Sequence, residues 1–515
     1  MVRIEQQNLK IQDFEQVIFH GAQVEISPEV KENIDRNFNF LCEFAKNKII
    51  YGINTGLGPM AQYRISEVDQ RDLQLNLIRS HASGAGQMLA PEYVKAAMLA
   101  RLSMLSKGYS GVNFSVLTCL CDMINKNVYP IIFAHGGVGA SGDLVQLAQL
   151  ALVMIGEGEV HYEGKLQPTK EVFAKLNIKP MEIKMREGLS VINGTSVMTG
   201  IGIVNYLHAN RMLEWSLWAS TAMNEIVESY DDHFSKELNQ VKLHTGQNQV
   251  AGIMRNIVKD SKLIKKRAED LFEKEITDTQ FVKKVQEYYS LRCVPQITGA
   301  ILETLNNAAK ILIDEVNSVN DNPIVDHINH NVFHGGNFHG DYISLEMDKM
   351  KIAVTRLCMV SERQINFLMN DKINDILPPF VNAGILGLNL GMQGAQFTAT
   401  STTAENQTLS FPMYVHSIPN NNDNQDIVSM GTNGAMMTAK VIENTSEVMS
   451  LQLMSILQAI DILKIDTQLS SFSQKVYTDL RKVVSFFRED TPNYPKIEAM
   501  KQYINTHGLD IVEIQ

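Results

Sequence analysis

The sequence predicts a mainly α-helical protein, in which a glycine-punctuated N-terminal part precedes a bundle of long helices. Before residue 200, glycine-containing segments separate shorter helical patterns. After residue 200, apolar residues recur at alternating steps of three and four, which is the spacing of one buried helix face. No series of strands alternates with these helices, so an α/β fold is not expected. Helices striped in this way predict a bundle with nearly antiparallel packing.

The N-terminal part, residues 1–200, contains four segments that we expect to form loops, because glycines at this density mark turns. The segments are YGINTGLGPM (51–60), SHASGAGQM (80–88), HGGVGASGD (135–143) and INGTSVMTG (192–200). We expect these loops to belong to a first domain, 1–200. A second domain, 201–515, would contain the long-helix bundle and the C-terminal helices.

Three apolar stripes predict the long helices of the second part. They are Ile301, Leu305, Ala308, Leu312 and Val316; Ile343, Met347, Met350, Val354 and Leu357; and Met449, Leu453, Ile456, Ile460 and Leu463. We expect these side chains to form core contacts. Residues 259–285 are instead densely charged with both signs, which favours a solvated helix and loop, with a mobile lid as the alternative.

The composition indicates an ordinary globular protein. The chain has 515 residues, of which 44% are hydrophobic and 20% are charged. A formal charge of -11 argues against binding to nucleic acid or to an anionic membrane, since either needs a basic surface. The five cysteines form no regular framework. With no signal-like start and no apolar run of about 20 residues, we expect a soluble, cytoplasmic protein.

The loop at 135–143 contains the spacing G-x-G-x-x-G at Gly137, Gly139 and Gly142. An apolar run precedes it and a helical pattern follows, as in a dinucleotide-binding fingerprint. However, the alternating strands of such a domain are missing. No G-K-[ST] follows the glycines, which also excludes the phosphate loop of NTPases. The small residues therefore require another chemical explanation.

The tripeptide Ala140-Ser141-Gly142 permits a cyclisation of the chain itself. If the Gly142 nitrogen attacks the Ala140 carbonyl carbon, a five-membered ring closes. Loss of two waters, one of them from the Ser141 hydroxyl, leaves an exocyclic methylidene group. The product is methylidene-imidazolone (MIO), an electrophile. A helix that opens after Asp143 would stabilise negative charge on such a ring through its positive N-terminal end.

Seven ordered motifs give the chain a resemblance to a known family. Besides G-A-S-G-D-L at 139–144, they are YGINTGLG (51–58), INGTS (192–196), QEYYSLRC (286–293), NDNP (320–323), GGNFHG (335–340) and NNNDNQDIVSMG (420–431). Together they resemble the MIO-dependent aromatic amino acid ammonia-lyases and aminomutases, and the whole chain is similar to bacterial tyrosine ammonia-lyases.

This resemblance implies a fumarase/aspartase-like helical fold with the MIO in the N-terminal domain. It also implies that MIO forms autocatalytically without an external cofactor, and that the protein is a homotetramer with shared active sites. The chain departs from many family members at 145–149, which read Val-Gln-Leu-Ala-Gln. These positions would support the loop rather than form the ring.

The resemblance assigns Tyr51 as the base that removes the substrate β-proton. Such a base requires a site that favours the phenolate, because free tyrosine ionises only near pH ~10. The alternative is a tyrosine hydroxyl satisfied at a turn. Arg292 would bind the substrate carboxylate through its two-pronged guanidinium, and the alternative is a surface arginine.

Four further residues are implied to contact the substrate or the MIO. Asn193, Gln286 and Tyr289 resemble residues that hydrogen-bond the MIO or orient the substrate amine, although amides in loops are often only turn formers. Phe338 resembles the aromatic wall over the substrate ring, and the alternative is a core phenylalanine.

Three residues bear on the choice of substrate. Ser80-His81 is the pair typical of histidine enzymes, whereas Gln425 occupies the position at which those enzymes usually have a glutamate. A neutral amide tolerates a phenol ring, and His81 can hydrogen-bond a para-hydroxyl. We expect L-tyrosine as substrate and trans-p-coumarate as product, with conversion of L-histidine to trans-urocanate and an MIO aminomutase as alternatives. Ser80 and His81 could also be only a helix-end turn.

Other hypotheses fit the sequence less well. Four histidines, His327, His330, His334 and His339, match no common zinc spacing, so we expect no metal. The S-S-x-M-P-x-K-x-N loop of fumarase-type lyases without a prosthetic group is absent. A non-catalytic helical scaffold is disfavoured, because both Tyr51 and Ser141 are present.

Overall fold

The computed structural model describes residues 1–5, 8–272, 279–281 and 284–512, and most of them are helical. Helix starts follow local chemistry. The second helix, for example, begins at Pro28 after Ser27, whose hydroxyl accepts the Val30 N–H. The helices are α1 (Ile11–Ile18), α2 (Pro28–Phe44), α3 (Gln70–His81), α4 (Pro91–Ser106), α5 (Ser115–Asn125), α6 (Leu144–Met154), α7 (Thr169–Leu176), α8 (Glu187–Ile192), α9 (Ser196–Ile226), α10 (Lys236–Gln240), α11 (Thr245–Ile257), α12 (Tyr289–Arg292), α13 (Val294–Val316), α14 (Asp341–Met369), α15 (Asp371–Asn374), α16 (Gln393–Leu409), α17 (Gly431–Leu463), α18 (Ser471–Val483) and α19 (Tyr494–Thr506).

The strands are short and form four small sheets among the described residues. The strands are β1 (Val2–Ile4), β2 (Val24–Ile26), β3 (Ala85–Met88), β4 (Tyr129–Pro130), β5 (Phe133–His135), β6 (Glu159–Tyr162), β7 (Lys165–Pro168), β8 (Ile324–Asp326) and β9 (Asn331–Phe333). The pair β1–β2 is parallel, whereas β3–β5, β4–β6–β7 and β8–β9 are antiparallel. The strands lie next to loops, and most of the buried hydrophobic side chains belong to the helices.

The three longest helices, α9, α14 and α17, run parallel to one another. Near their N-terminal ends, Asn205 of α9 contacts both the Met347 sulfur of α14 and the Ala435 carbonyl of α17. Further along all three helices, Gln364 of α14 bonds Ser220 of α9 and accepts from Gln452 of α17. The nearly antiparallel packing predicted for the striped helices is therefore wrong for α14 and α17. Long connections separate them, and α13 and α16 carry the chain back between them.

The predicted stripes are confirmed as core faces. All the striped residues on α13 and α14 are buried, and on α17 only Leu463, at the C-terminal end of its stripe, is partly exposed. Among the described helices, α17 alone is long and apolar enough to cross a membrane by length and composition. However, 78% of that stretch is buried inside the structure, as in a core helix.

The glycine-rich segments are only partly loops. Residues 135–143 are largely irregular, but SHASGAGQM includes strand β3, and INGTSVMTG is helical from Ser196 onward. The proposed domain boundary at residue 200 falls within α9, and the division stays a prediction. Within 259–285, the described residues form turns and a π-helical turn at Ala268–Phe272, and 273–278 and 282–283 lie outside the described residues.

Candidate active site

The loop 138–143 lies where the N-terminal ends of α6, α9 and α17 converge. Helix α6 starts at Leu144, directly after the loop. The Met430 N–H, just before α17, donates to the Val138 carbonyl at 3.0 Å. Since helix N-terminal ends carry partial positive charge, this arrangement favours negative charge on the loop.

Gly142 and Gly194 bring two backbone segments into direct contact. Gly142 has φ of +72°, and a Cβ there would overlap the Gly194 carbonyl oxygen. The same carbonyl accepts the Asp143 N–H at 2.8 Å. Glycine is therefore required at 142 both by backbone conformation and by space.

Asp143 is fully buried and ties the loop to two helices. Its carboxylate accepts the Val197 and Met198 N–H groups at the start of α9, both at 2.9 Å, and the Thr432 hydroxyl at the start of α17. Burial raises the pKa of Asp143 to about 6, although these hydrogen bonds and nearby Arg101 act in the opposite direction. Asp143 therefore fixes the loop to the N-terminal ends of α9 and α17.

Two side-chain amides hydrogen-bond Ser141. The Asn193 Nδ2 donates to the Ser141 carbonyl oxygen at 3.0 Å, and the Gln425 Nε2 donates to the Ser141 Oγ at 2.9 Å. The Asn193 Oδ1 accepts the Asn322 N–H at 2.8 Å, which orients the amide. Asn193 and Gln425, both predicted site residues, thus meet the predicted tripeptide.

Tyr51 lies in a turn, and its hydroxyl hydrogen-bonds the backbone seven residues further along the chain. The Gly58 N–H donates to the Tyr51 hydroxyl oxygen at 2.9 Å. A Cβ at Gly58 would lie 3.0 Å from the Asn421 side chain, in the loop that carries Gln425. The Tyr51 N–H also donates to the His334 Nε2 at 3.4 Å.

The turn that carries Phe338 lies against the same loop. The Gly340 N–H donates to the Gly139 carbonyl at 3.0 Å, and the Ser429 hydroxyl donates to that oxygen at 3.0 Å. Phe338 itself is half-buried and lies outside the packed core clusters of the described residues. The assignment of Phe338 as an aromatic wall over the substrate ring stays a prediction.

Gln286, Tyr289 and Arg292 form a second group. They line a cavity of about 590 Å³, together with residues of α14 such as Arg363 and Phe367. Arg292 donates to the Gln286 side-chain oxygen, and its guanidinium lies 4.8 Å from the Tyr289 ring centre. Within the described part of this chain, no hydrogen bond or ring contact connects this group with residues 140–142.

Ser80 and His81 lie at the C-terminal end of α3 and bond mainly to that helix. The His81 Nδ1 is 3.0 Å from the Leu77 carbonyl oxygen and 3.1 Å from the Ser80 Oγ. Among the described residues, none of their side-chain hydrogen bonds reaches 140–142. Within one chain, the pair therefore has the geometry of a helix end.

Arg101 on α4 and the side chains of the NDNP turn (320–323) also belong to this region, although the sequence motifs did not predict a role for them. Arg101 is completely buried beside Asn193. The sequence feature that could have predicted this role is an arginine within the largely apolar run VKAAMLARLSML (94–105). An arginine at such a position is buried only when polar groups bind it. The side chains of Asn320 and Asn322 also organise this region.

The four histidines that raised the metal question are dispersed. His327 contacts Asn37, and His334 accepts the Tyr51 N–H. Among the residues that the structure describes, no group of three or more His, Cys, Asp or Glu side chains could hold a metal ion. All five cysteines are free.

Comparison with known proteins identifies the family. The family model described as "Aromatic amino acid lyase" matches residues 9–482. The chain belongs to this family. It is 36% identical to a histidine ammonia-lyase of Natranaerobius thermophilus, over 98% of this chain and 97% of the relative. It is 35% identical to a tyrosine 2,3-aminomutase of Chondromyces crocatus, over 99% of this chain and 97% of the relative.

A solved structure of the same family confirms the predicted fold class. The tyrosine aminomutase of Streptomyces globisporus superimposes with a TM-score of 0.93 at 32% identity, over 98% of this chain and 96% of that chain. The fold is the fumarase-like helical fold that the sequence resemblance implied. The chain is therefore an ammonia-lyase or aminomutase family enzyme.

The residues at 140–142 fit the MIO group on which this family depends. Gly142 carries no Cβ that would obstruct closure, and Ala140 is small and buried. Each oxygen of Ser141 already has an amide donor. Two glutamines of the divergent 145–149 segment support the loop from α6, since Gln146 and Gln149 bond the backbone of β5.

The burial of Asp143 predicts a pH dependence of stability. The folded protein retains the Asp143 proton up to about pH 6, whereas the unfolded chain releases it near pH 3.8. The folded state thus binds more protons over this range, so the contribution of Asp143 to stability decreases as pH rises through it. Relative to Asp143→Asn, the wild-type free energy of unfolding should fall by up to about 3 kcal/mol between pH 4 and 6.

Urea unfolding of both proteins, at one protein concentration and several pH values, measures this difference. The difference in unfolding free energy between the two proteins should be constant above pH ~6.5, where Asp143 is ionised in both the folded and the unfolded state. A difference that is flat or rising between pH 4 and 6 contradicts the predicted ionisation of Asp143.

Proposed function

We propose that this protein is an ammonia-lyase that eliminates ammonia from L-tyrosine to form trans-p-coumarate, using MIO formed from Ala140-Ser141-Gly142. The observation that carries this proposal is the pair of amide donors on Ser141, one from Asn193 and one from Gln425. Asn193 donates to the Ser141 carbonyl oxygen, which remains in MIO, and Gln425 donates to the Ser141 hydroxyl oxygen, which leaves as water.

Ring closure balances as the loss of two waters. The Gly142 nitrogen bonds to the Ala140 carbonyl carbon, whose oxygen leaves with the hydrogens of the Gly142 and Ser141 nitrogens. The Ser141 hydroxyl then leaves with the Ser141 α-hydrogen. The Gln425 amide, 2.9 Å from that hydroxyl oxygen, is placed to assist its departure. The Ser141 carbonyl oxygen remains and keeps its donor from Asn193.

Elimination would require the MIO group and two side chains, those of Tyr51 and Arg292. When present, MIO supplies an electrophilic carbon for the substrate amine, which makes that amine a better leaving group. Tyr51, as phenolate, would remove the β-proton, and the Gly58 N–H would stabilise the charged oxygen. Arg292 would hold the carboxylate by a two-pronged ion pair.

A homotetramer with shared active sites would bring these residues together. Asn193 and Gln425 hydrogen-bond the tripeptide, and the turn of Tyr51 lies against the loop that carries Gln425. Gln286, Tyr289 and Arg292 line a separate cavity of the same chain. Large apolar side chains are exposed in the single chain: Leu388 is 71% exposed, Ile418 68% and Phe397 66%. Such surface is typical of subunit interfaces. The free cysteines suit the cytoplasm.

The preference for tyrosine is supported by a neutral amide at position 425. Once the Ser141 hydroxyl has left, the Gln425 amide loses this partner and can face the substrate ring. A phenol can hydrogen-bond this amide or His81, whereas a charged imidazole would favour a carboxylate. Histidine ammonia-lyase stays the alternative for the substrate. An aminomutase, which returns the amine to the β-carbon, is a second candidate, because a tyrosine 2,3-aminomutase is among the relatives.

The proposal predicts a defined mass change. The intact chain should be lighter than its sequence mass by two waters, about 36 Da, because ring closure expels them. Ser141→Ala should restore the full sequence mass and abolish turnover, since the methylidene carbon comes from Ser141. Mass spectrometry of the denatured chain and of the peptide that contains residue 141 measures both. Fully active wild-type enzyme with an unmodified tripeptide would exclude the mechanism.

The shared-site arrangement predicts complementation between inactive variants. Tyr51→Phe should lose about 10²–10⁴-fold of kcat while the two-water loss persists. Arg292→Lys should mainly raise KM, because a point charge cannot reproduce the guanidinium fork. Tyr51→Phe and Arg292→Ala subunits, coexpressed with different tags and purified through both, should recover activity well above either parent, because some sites would receive both wild-type residues.

Each variant alone, taken through the same purification, provides the control for residual activity. Mixed oligomers as inactive as their parents would place Tyr51 and Arg292 of one site in the same subunit. Near-normal turnover by Tyr51→Phe would remove Tyr51 as the base.

The substrate proposal predicts an ordering of kcat/KM with tyrosine first. Product absorbance with L-tyrosine, L-histidine and L-phenylalanine, with chromatography to detect β-amino acids, gives all the comparisons. His81→Leu should shift preference toward phenylalanine, because the partner of the para-hydroxyl is lost. His507→Leu is a matched control: that histidine makes the same contact with a helix-end carbonyl, 3.0 Å from Tyr503, away from the site. A higher kcat/KM with L-histidine than with L-tyrosine would overturn the proposed substrate but leave the proposed lyase reaction unchanged.

A further inference from the structure

Arg101 connects the two segments that hold Asn193. Its Nε donates to the Val191 carbonyl at 3.0 Å and its Nη2 donates to the carbonyl of Asn193. Its Nη1 donates to the Asn320 Oδ1 at 3.3 Å, in the neighbouring NDNP turn. All three partners are within hydrogen-bond reach of one rigid guanidinium, a geometry that a lysine cannot reproduce.

The close approach of Arg101 depends on Gly194. A Cβ at that residue would lie 2.7 Å from the Arg101 Nη1 and 2.5 Å from the Asn320 Oδ1. Burial lowers the pKa of Arg101 to about 10, and the carboxylates of Asp321 and Asp143 oppose that effect. Arg101 therefore carries its charge at neutral pH and is in electrostatic contact with the base of the reactive loop.

The Asn193 amide is fixed from both sides by groups that Arg101 organises. Its backbone carbonyl is held directly by Arg101. Its Oδ1 accepts the Asn322 N–H, two residues after the Asn320 that Arg101 also binds. With these positions fixed, the Asn193 Nδ2 points at the Ser141 carbonyl oxygen, 3.0 Å away.

We propose that Arg101 is a positioning residue that holds Asn193 on the Ser141 carbonyl oxygen, and that it thereby promotes both ring closure and turnover. This inference rests on the proposed function. A donor on that carbonyl withdraws electron density from the ring atoms conjugated to it, which strengthens the electrophile. A displacement of about 1 Å in such a group costs roughly 100-fold in rate.

The test compares Arg101→Lys and Arg101→Met with the matched control Arg211→Met. Arg211, on α9, is a partly buried arginine that also donates to a backbone carbonyl, but its partner is Asn505, close to the C-terminal end of α19. Three quantities are measured for each variant: the fraction of chains that have lost two waters, kcat and KM with tyrosine, and the melting temperature.

A fraction of the Arg101→Met chains should keep the full sequence mass, because they have not lost the two waters. Their kcat should fall about 10- to 100-fold, with KM changed less than about threefold. Arg101→Lys should fall between this variant and wild type. Arg211→Met should mature completely and keep its kcat. Complete maturation of Arg101→Met with kcat within about twofold of wild type would overturn the proposal and leave a structural role only.

A double-mutant cycle keeps the test valid if Arg101→Met does not fold. If Arg101 acts through Asn193, Arg101→Lys should have little further effect on kcat in an Asn193→Ala background. Additive losses in the double variant would also overturn the proposal. Failure of the proposed function is distinct, because it would show as absence of the two-water loss and of turnover in wild type.

Discussion

The packing of residues 138–143 against the start of α9 and the start of α17 is the constraint on which this structure depends. Asp143 bonds the first N–H groups of α9 and the Thr432 hydroxyl of α17, although these groups lie 54, 55 and 289 residues away. The first turn of a helix has N–H groups without an intrahelical partner, and a carboxylate is well suited to satisfy them. A single buried side chain thus joins the loop to the bundle.

The parallel direction of α9, α14 and α17 follows from this requirement. Parallel helices have their N-terminal ends at the same end of the bundle, so that several positive helix ends can meet one loop. If α17 were antiparallel to α9, Thr432 would lie at the far end of a 33-residue helix, and Asp143 could reach only one of them. The bundle is therefore arranged around the loop, and the returning helices α13 and α16 restore the connectivity.

The sequence pattern predicted the core faces, and the family resemblance named Asn193 and Gln425, which hydrogen-bond Ser141 in the structure. Periodicity identified α13, α14 and α17 because burial of one helix face is a local property. The same periodicity carries no information about direction, and for that reason the relative direction of α14 and α17 was predicted wrongly. Arg101 was missed because its partners, Asn193 and Asn320, are 92 and 219 residues away. The separation of Arg292 from Ser141 depends on the tertiary path of the chain.

Arg101, Asp143, Arg186 and Asp321 form a cluster of buried charges behind the loop. All four side chains are inaccessible to solvent, and Arg186 pairs with Asp321 at 3.4 Å. Removal of one partner leaves a charge uncompensated in the interior, at a cost of about 3–5 kcal/mol. Exchange of an entire pair for apolar groups can be nearly neutral. During evolutionary divergence Arg186 and Asp321 can therefore vary mainly by concerted replacement, which makes this pair informative for tracing lineages within the family.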